Sequence, residues 1–250
     1  VWNTKLKHLQ PYPFERLREL HKDCQHDGEL AHISLSLGEP KHLPPDFVVR
    51  ALADAQALTS QLGIYPATKG SDDLRLAISQ WLGGRFGIGI DPATQVLPVY
   101  GTREALFSVA QALLSGKPGS LVGMPNPFYQ IYEGAALLAG ARPLYIANVE
   151  TNDYHADFSA VTADQWQAVE MVYICSPGNP TGQIMSAGDM QTLIELAYEY
   201  DFIVVSDECY SELYYDDDHV PSSLLSVAEQ VAKAHNKRPF DSCLSFHSLS

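Results

Sequence analysis

Basic residues are scarce in this 250-residue sequence: 16 Lys and Arg stand against 30 Asp and Glu, a formal charge of −14. A chain built to neutralise nucleic-acid phosphates would carry the opposite footprint, a clustered positive patch, so nucleic acid is excluded as an expected partner and small molecules take its place. Cysteine is scarce too. Cys24, Cys175, Cys209 and Cys243 lie far apart, with no C-x-x-C pair and no Cys/His cluster at zinc spacing. Neither a disulfide framework nor a structural metal is signalled, and reduced, mostly buried thiols are expected. Also missing is any apolar run near the roughly 20 residues a membrane span requires. The first 30 residues interleave Lys5, Lys7, Glu15, Arg16, Arg18 and Glu19 and contain no apolar leader core, so the expected location is the cytoplasm. Apolar mass, by contrast, is ample: 46% of the residues are hydrophobic and 18% charged, which suits a packed globular chain and excludes disorder.

From about Gln95 onward, short runs of Val, Ile, Leu and Tyr alternate with segments of helical period, the pattern of repeated βαβ units around a mainly parallel sheet. The fold class is therefore α/β. Expected strands are Gln95–Tyr100, Ser120–Met124, Arg142–Ala147, Met171–Cys175, Phe202–Ser206 and Cys243–Phe246. Their near-continuous hydrophobicity suits strands covered on both faces. Expected helices lie at Arg103–Leu114, Tyr129–Ala139 and Ala187–Tyr200, the last preceded by Ser186 with Asp189 at capping-box spacing.

The first hundred residues differ. An extended segment punctuated by Pro11, Pro13, Pro40, Pro44 and Pro45 leads to a helix near Asp46–Leu58 and another after Ser71, whose Leu74, Ile78, Trp81 and Leu82 share one face. The glycine-rich run Gly83–Gly89 follows a helix rather than a strand, so it reads as a helix stop and turn, not a nucleotide loop. Asp216-Asp217-Asp218 reads as a solvated loop rather than a cation site, and no metal is expected.

In an open parallel sheet, ligands sit beyond the carboxyl ends of the strands. After the first expected strand, Gly101-Thr102-Arg103 opens a helix whose leading amides are unpaired; that suits an anion, although Gly-Thr is also an ordinary N-cap. After the second, Pro127-Phe128-Tyr129 brings aromatic rings that could equally belong to a core. Ser176-Pro177-Gly178-Asn179-Pro180-Thr181-Gly182 follows another strand and carries one amide, at Asn179, able to donate to a phenolate oxygen. Asp207-Glu208-Cys209-Tyr210 puts a carboxylate at the end of a buried strand, where desolvation is costly, so something positive is expected to face Asp207. A phosphate site, an aromatic plate, an amide and a buried carboxylate are together what pyridoxal 5'-phosphate requires of a protein.

In this order, and completed by Ser248-Leu249-Ser250, these motifs resemble the class I and II aminotransferases of the aspartate aminotransferase fold over nearly the whole chain. The resemblance implies a pyridoxal-phosphate-dependent transferase fold: a mainly parallel central sheet with flanking helices plus a smaller domain. Residues 1–45 would then be the N-terminal segment and part of the small domain, and residues 46–250 the large cofactor-binding domain. It also assigns roles. Asp207 pairs with the pyridinium, Asn179 and Tyr210 hold the phenolic oxygen, Tyr129 stacks, and Gly101, Thr102, Arg103, Ser248 and Ser250 belong to the cofactor site. Tyr65, in Tyr65-Pro66-Ala67-Thr68-Lys69-Gly70, matches the tyrosine that reaches the phosphate of a neighbouring subunit, which implies a homodimer with shared sites. Gly38 matches the segment that meets the substrate carboxylate, and Asn179 lies on the substrate side as well. The lysine that forms the family's Schiff base would follow Ser250, so the chain is expected to stop just short of it, and no catalytic residue is named within it. His247, just before that motif, reads as structural.

Within the family, Leu9–Phe14, Asp91–Val99, Pro125–Gly140, Asp207–Glu212 and Phe246–Ser250 look closest to the succinyldiaminopimelate transaminases. The implied reaction interconverts N-succinyl-2-amino-6-oxopimelate and glutamate with N-succinyl-L,L-diaminopimelate and 2-oxoglutarate. A general aspartate, alanine or aromatic aminotransferase would share every cofactor residue. A lyase using the same cofactor, and an aminotransferase-like ligand-binding module of a transcription regulator, are the other readings of the scaffold.

Overall fold

The computed structural model describes every residue except 1, 2, 25–27, 29, 30, 32, 34, 36, 37, 39–41 and 250. The chain divides into two compact units, one made of Val1–Gln10 with Asp72–Ser250 and the other of Pro11–Ser71.

Among the described residues the smaller unit holds three helices, α1 (Pro13–His21), α2 (Asp46–Leu52) and α3 (Ala55–Leu62). The first corrects the expectation of an extended start: Pro13 stands in its opening turn, where a missing N–H costs nothing. The single helix expected over Asp46–Leu58 is also two. Asp54 breaks it, because its carboxylate accepts the amides of Gln56 at 2.9 Å and Ala57 at 3.1 Å and so caps a new helix.

In the larger unit a short 3-10 helix at Thr4–His8 comes first, followed by α4 (Asp72–Phe86). That helix runs through Gly83 and Gly84 and stops at Gly87, whose φ of +70° ends the helical path, so the turn starts later than expected. Leu82 is buried and Ile78 packs against the core, but Leu74 and Trp81 stay partly exposed. Then come α5 (Thr102–Leu113), β1 (Leu121–Asn126), α6 (Ile131–Ala139), β2 (Arg142–Ala147), α7 (Ala163–Trp166), β3 (Val169–Cys175), α8 (Ala187–Tyr200), β4 (Ile203–Asp207), α9 (Leu224–His235) and β5 (Cys243–Phe246). Ser186 caps α8, accepting from the Asp189 amide at 3.0 Å. The last helix, α9, was not foreseen.

All four strand pairings are parallel, in the order β2-β1-β3-β4-β5. Gln95–Tyr100 is not a strand: Leu97 is 65% exposed, Pro98 has no amide to offer a ladder, and the segment pairs with no strand among the described residues. Alternation along the strands sorts side chains into two apolar layers. Val172, Ile174 and Val204 face α8 and α9, whereas Met171, Tyr173 and Val205 join Leu106, Tyr132 and Ala136 of α5 and α6. Since β2 and β3 flank β1 on opposite sides, the strand order reverses there, and loops following β1 and β3 diverge beyond their carboxyl ends.

Candidate active site

Asp207 ends β4 in register with Cys175 of β3 and Phe246 of β5. It shares the parity of Val205, so its side chain faces α5 and α6. It is 5% exposed. Its Oδ2 accepts the hydroxyl of Tyr132 at 2.6 Å, and its Oδ1 meets the Cys209 amide at a long 3.4 Å. Tyr132 is itself fully buried and stacks on Tyr173 with ring centroids 4.7 Å apart. Burial pushes its phenol well above the usual range, with Cys175 and Asp207 adding to the shift, so the hydroxyl keeps its proton and donates it as a hydrogen bond. Tyr173 is satisfied separately, donating to the Leu106 carbonyl at 2.6 Å.

Both thiols beside Asp207 are held neutral. Burial and then Asp207 push Cys175 up to about 12 and Cys209 likewise. Cys209 donates to Thr102 Oγ1 at 3.2 Å, tying the loop after β4 to the first turn of α5. All four cysteines are free; Cys243 is buried, Cys175 and Cys209 are half-buried and Cys24 is exposed, so the thiols are less buried than the expectation of mostly buried ones.

Gly101 caps α5 with φ at +128°, a conformation L side chains rarely adopt, and no side chain caps the helix. The first turn of α5 thus opens without a side-chain cap, as a helix start that receives an anion does. Arg103 stands in that turn and donates from Nε to the Tyr129 hydroxyl at 2.7 Å. Tyr129 in turn meets Tyr132 edge-on at 5.8 Å. Thus Thr102, Arg103, Tyr129 and Asp207 are joined by a chain of direct contacts through Cys209 and Tyr132. Tyr210 belongs to the same neighbourhood: burial raises its phenol, with Cys175, Asp207, Cys209 and Tyr129 contributing. Asn179 follows β3 and lines a small cleft with Pro127, Asn148, His155 and Gln183. Ser248 follows β5 and is partly buried. Ser250 lies outside the described residues, and Gly38 and Tyr65 fall in the smaller unit, where Tyr65 is wholly exposed.

The positive group expected opposite Asp207 is, in the protein itself, a phenol. Tyr132 has no role assigned from the sequence; α6 starts at Ile131 rather than at Tyr129 as expected, and the turn before it, closed by the Tyr132 amide donating to the Tyr129 carbonyl at 3.1 Å, is what brings the two rings together. A tyrosine buried in an apolar stripe must find a partner for its hydroxyl, and that is the signal that could have identified it. A neutral phenol brings Asp207 a hydrogen bond and no positive charge. A protonated pyridine nitrogen would supply one, and a phosphate would suit the uncapped start of α5 with Thr102 and Arg103, so the residues present fit pyridoxal phosphate.

The family described as aminotransferase class I and II matches residues 31–250. An LL-diaminopimelate aminotransferase of Nitratidesulfovibrio vulgaris (strain DP4) is 32% identical over 248 residues, 98% of this chain and 60% of that protein. Another, from Desulforudis audaxviator (strain MP104C), is 30% identical over 224 residues, 90% of this chain and 56% of its own. Among solved structures, an aminotransferase from Neisseria meningitidis Z2491 is similar with a TM-score of 0.90 and 37% identity, over all of this chain and 61% of that one. Aminotransferase AspB from Helicobacter pylori 26695 follows the same path with a TM-score of 0.85 and 34% identity, over 97% of this chain and 61% of its own. The chain thus spans about 60% of the length of the curated relatives it matches.

Proposed function

The chain belongs to the class I and II aminotransferases, and from that premise we propose that it supplies the cofactor-binding part of an enzyme moving an amino group between an amino acid and a 2-oxo acid. The observation that carries this reading is Asp207, a carboxylate buried at a strand end and held by a phenol at 2.6 Å. Pyridoxal phosphate, when bound, supplies the sink for the electron pair left on the amino-acid carbon as its proton departs. The work of this chain is to hold and polarise. Asp207 keeps the proton on the ring nitrogen, and Tyr132 keeps Asp207 aimed by donating to Oδ2. Asn179 and Tyr210 offer an amide and a hydroxyl to the phenolic oxygen, while the Tyr129 ring, fixed by Arg103, covers the ring face. Thr102, Arg103, the start of α5 and Ser248 take the phosphate.

For substrate we propose N-succinyl-2-amino-6-oxopimelate with glutamate, giving N-succinyl-L,L-diaminopimelate and 2-oxoglutarate. The motif likeness to succinyldiaminopimelate transaminases and the diaminopimelate named in the relatives support it. Because the relatives' names speak of LL-diaminopimelate itself, the unsuccinylated amino acid is the second reading. On the same proposal the enzyme is a cytoplasmic homodimer with shared sites, and the exposed Tyr65 is available to a second copy. No helix among the described residues is long and apolar enough to cross a membrane.

The test is the visible spectrum of the whole protein carrying pyridoxal phosphate, mixed in turn with N-succinyl-L,L-diaminopimelate, LL-diaminopimelate, aspartate and alanine. Fastest conversion to the pyridoxamine form by the succinylated donor is the expected result. Conversion by LL-diaminopimelate alone would select the second reading, conversion only by aspartate or alanine would discard both, and failure to bind the cofactor would overturn the enzyme class.

A further inference from the structure

Glu208 follows Asp207 directly but has the parity of Val204 and Ser206, so its side chain leaves the strand end on the opposite face of the sheet. That side chain is 0% exposed. One oxygen accepts the Leu224 amide at 2.8 Å, at the start of α9, where the helix dipole favours a negative charge. The other makes no hydrogen bond and lies 3.5 Å from His247 Nε2, which meets Ser245 Oγ at 3.0 Å. The imidazole is packed against Trp81 and Phe86, at centroid distances of 5.2 and 5.7 Å. Burial, with Arg85 nearby, lowers it to about 4, so it is neutral at pH 7; Arg85 in turn pairs with Glu212 at 2.8 Å. Burial pushes the Glu208 carboxyl up, against the Leu224 amide and the hydroxyls of Ser206, Ser223 and Ser245, which pull it down.

The backbone links this cluster to the cofactor side. Glu208 N donates to the Phe246 carbonyl at 2.8 Å, and Ser176 N donates to the Asp207 carbonyl at 3.2 Å. The cluster therefore ties the end of β4 to the end of β5 and the start of α9, one residue from Asp207 on one side and one residue from Ser248 on the other. An apolar pair of similar volume would pack there without the cost of burying a carboxylate. What it could not supply is directional bonds at the two strand ends that carry cofactor contacts.

We propose that Glu208 and His247 form a brace beneath the sheet that fixes Asp207 and Ser248, which makes Glu208 and His247 positioning residues for the pyridoxal-phosphate site. This rests on the cofactor reading above. The test measures cofactor affinity of the whole apo-protein by equilibrium dialysis, alongside thermal unfolding, for the wild type, Glu208→Ala, Glu208→Gln, His247→Leu and the Glu208→Ala/His247→Leu double variant. Each of Glu208→Ala and His247→Leu is expected to weaken binding about tenfold, with the double variant costing little more than either alone, since the two act as one unit. Glu208→Gln should recover most of the affinity, because its carbonyl oxygen still accepts from Leu224. Affinities within about twofold of the wild type despite lowered melting temperatures, or losses that simply add, would overturn the brace. Should Glu208→Ala fail to fold, His247→Leu and Glu208→Gln decide by the same affinity criterion. A wild type that binds no pyridoxal phosphate would sink the cofactor reading itself, a result distinct from intact binding that the variants leave unchanged.

Discussion

Asp207 and Glu208 are neighbours in sequence, both buried, and end on opposite faces of one sheet, yet their surroundings differ in kind. Glu208 sits among the protein's own groups, with one oxygen on the Leu224 amide at 2.8 Å and the other, without a hydrogen bond, 3.5 Å from a neutral imidazole. Asp207 has a phenol at 2.6 Å and an amide at a long 3.4 Å. Glu208 is anchored at the start of a helix and turned away from the ligand side, whereas Asp207, on the face of α5 and α6, is poised to meet a cation brought by a ligand. Burial alone does not distinguish a functional carboxylate from a supporting one; the partners do.

The comparison breaks most visibly at Asp207. Asp207→Ala in the whole protein should leave pyridoxal phosphate bound but slow the half-reaction with amino donor by on the order of a thousandfold, read by stopped-flow absorbance. A near-normal rate would erase the distinction between the two carboxylates.

A second expectation sharpens the other side. The His247 ring takes a proton near its ordinary 6.5 once the chain is unfolded, but only near 4 when folded. As pH falls from 6.5 to 4 the unfolded state therefore binds a proton that the folded state refuses, and stability drops by about 3 kcal/mol across that window. His247→Leu should remove that dependence. Denaturant unfolding at several pH values would show the variant gaining on the wild type as the solution is acidified, and parallel profiles would contradict the buried neutral imidazole. Glu208, raised by burial, contributes in both proteins, so it largely cancels in the difference.

The smallest effect is expected at Tyr132. Tyr132→Phe keeps the stack on Tyr173 and removes the bond to Asp207, so it should cost about 1.5 kcal/mol of stability and roughly tenfold in the half-reaction. Equal activity in this variant would mean that Asp207 is aimed by something other than the phenol.

Much of the frame was legible beforehand because it is written in local pattern. Arg142–Ala147, Cys243–Phe246 and Ala187–Tyr200 have the bounds that their apolar runs and caps announce. Gln95–Tyr100 has a similar run and forms no strand, since a strand exists only where a neighbour supplies the ladder. The break at Asp54 shows the reverse case: one carboxylate bonding two amides outweighs a continuous helical pattern.

At the site, residue types at strand ends marked Gly101-Thr102-Arg103, Tyr129, Asn179 and Asp207 as one constellation, because cofactor chemistry demands such groups there, and the family resemblance added Tyr210 and Ser248. Pattern could not say that a tyrosine 75 residues away in sequence meets Asp207, or that Cys209 reaches Thr102 across 107 residues. Nor could it separate the duties of two adjacent carboxylates. The sequence determined which groups are present and, through strand alternation, that Asp207 and Glu208 face opposite ways. Which partners wait on each face was decided by how α6 and α9 pack across the sheet, for hydrogen bonds act over about 3 Å of space and ignore distance along the chain.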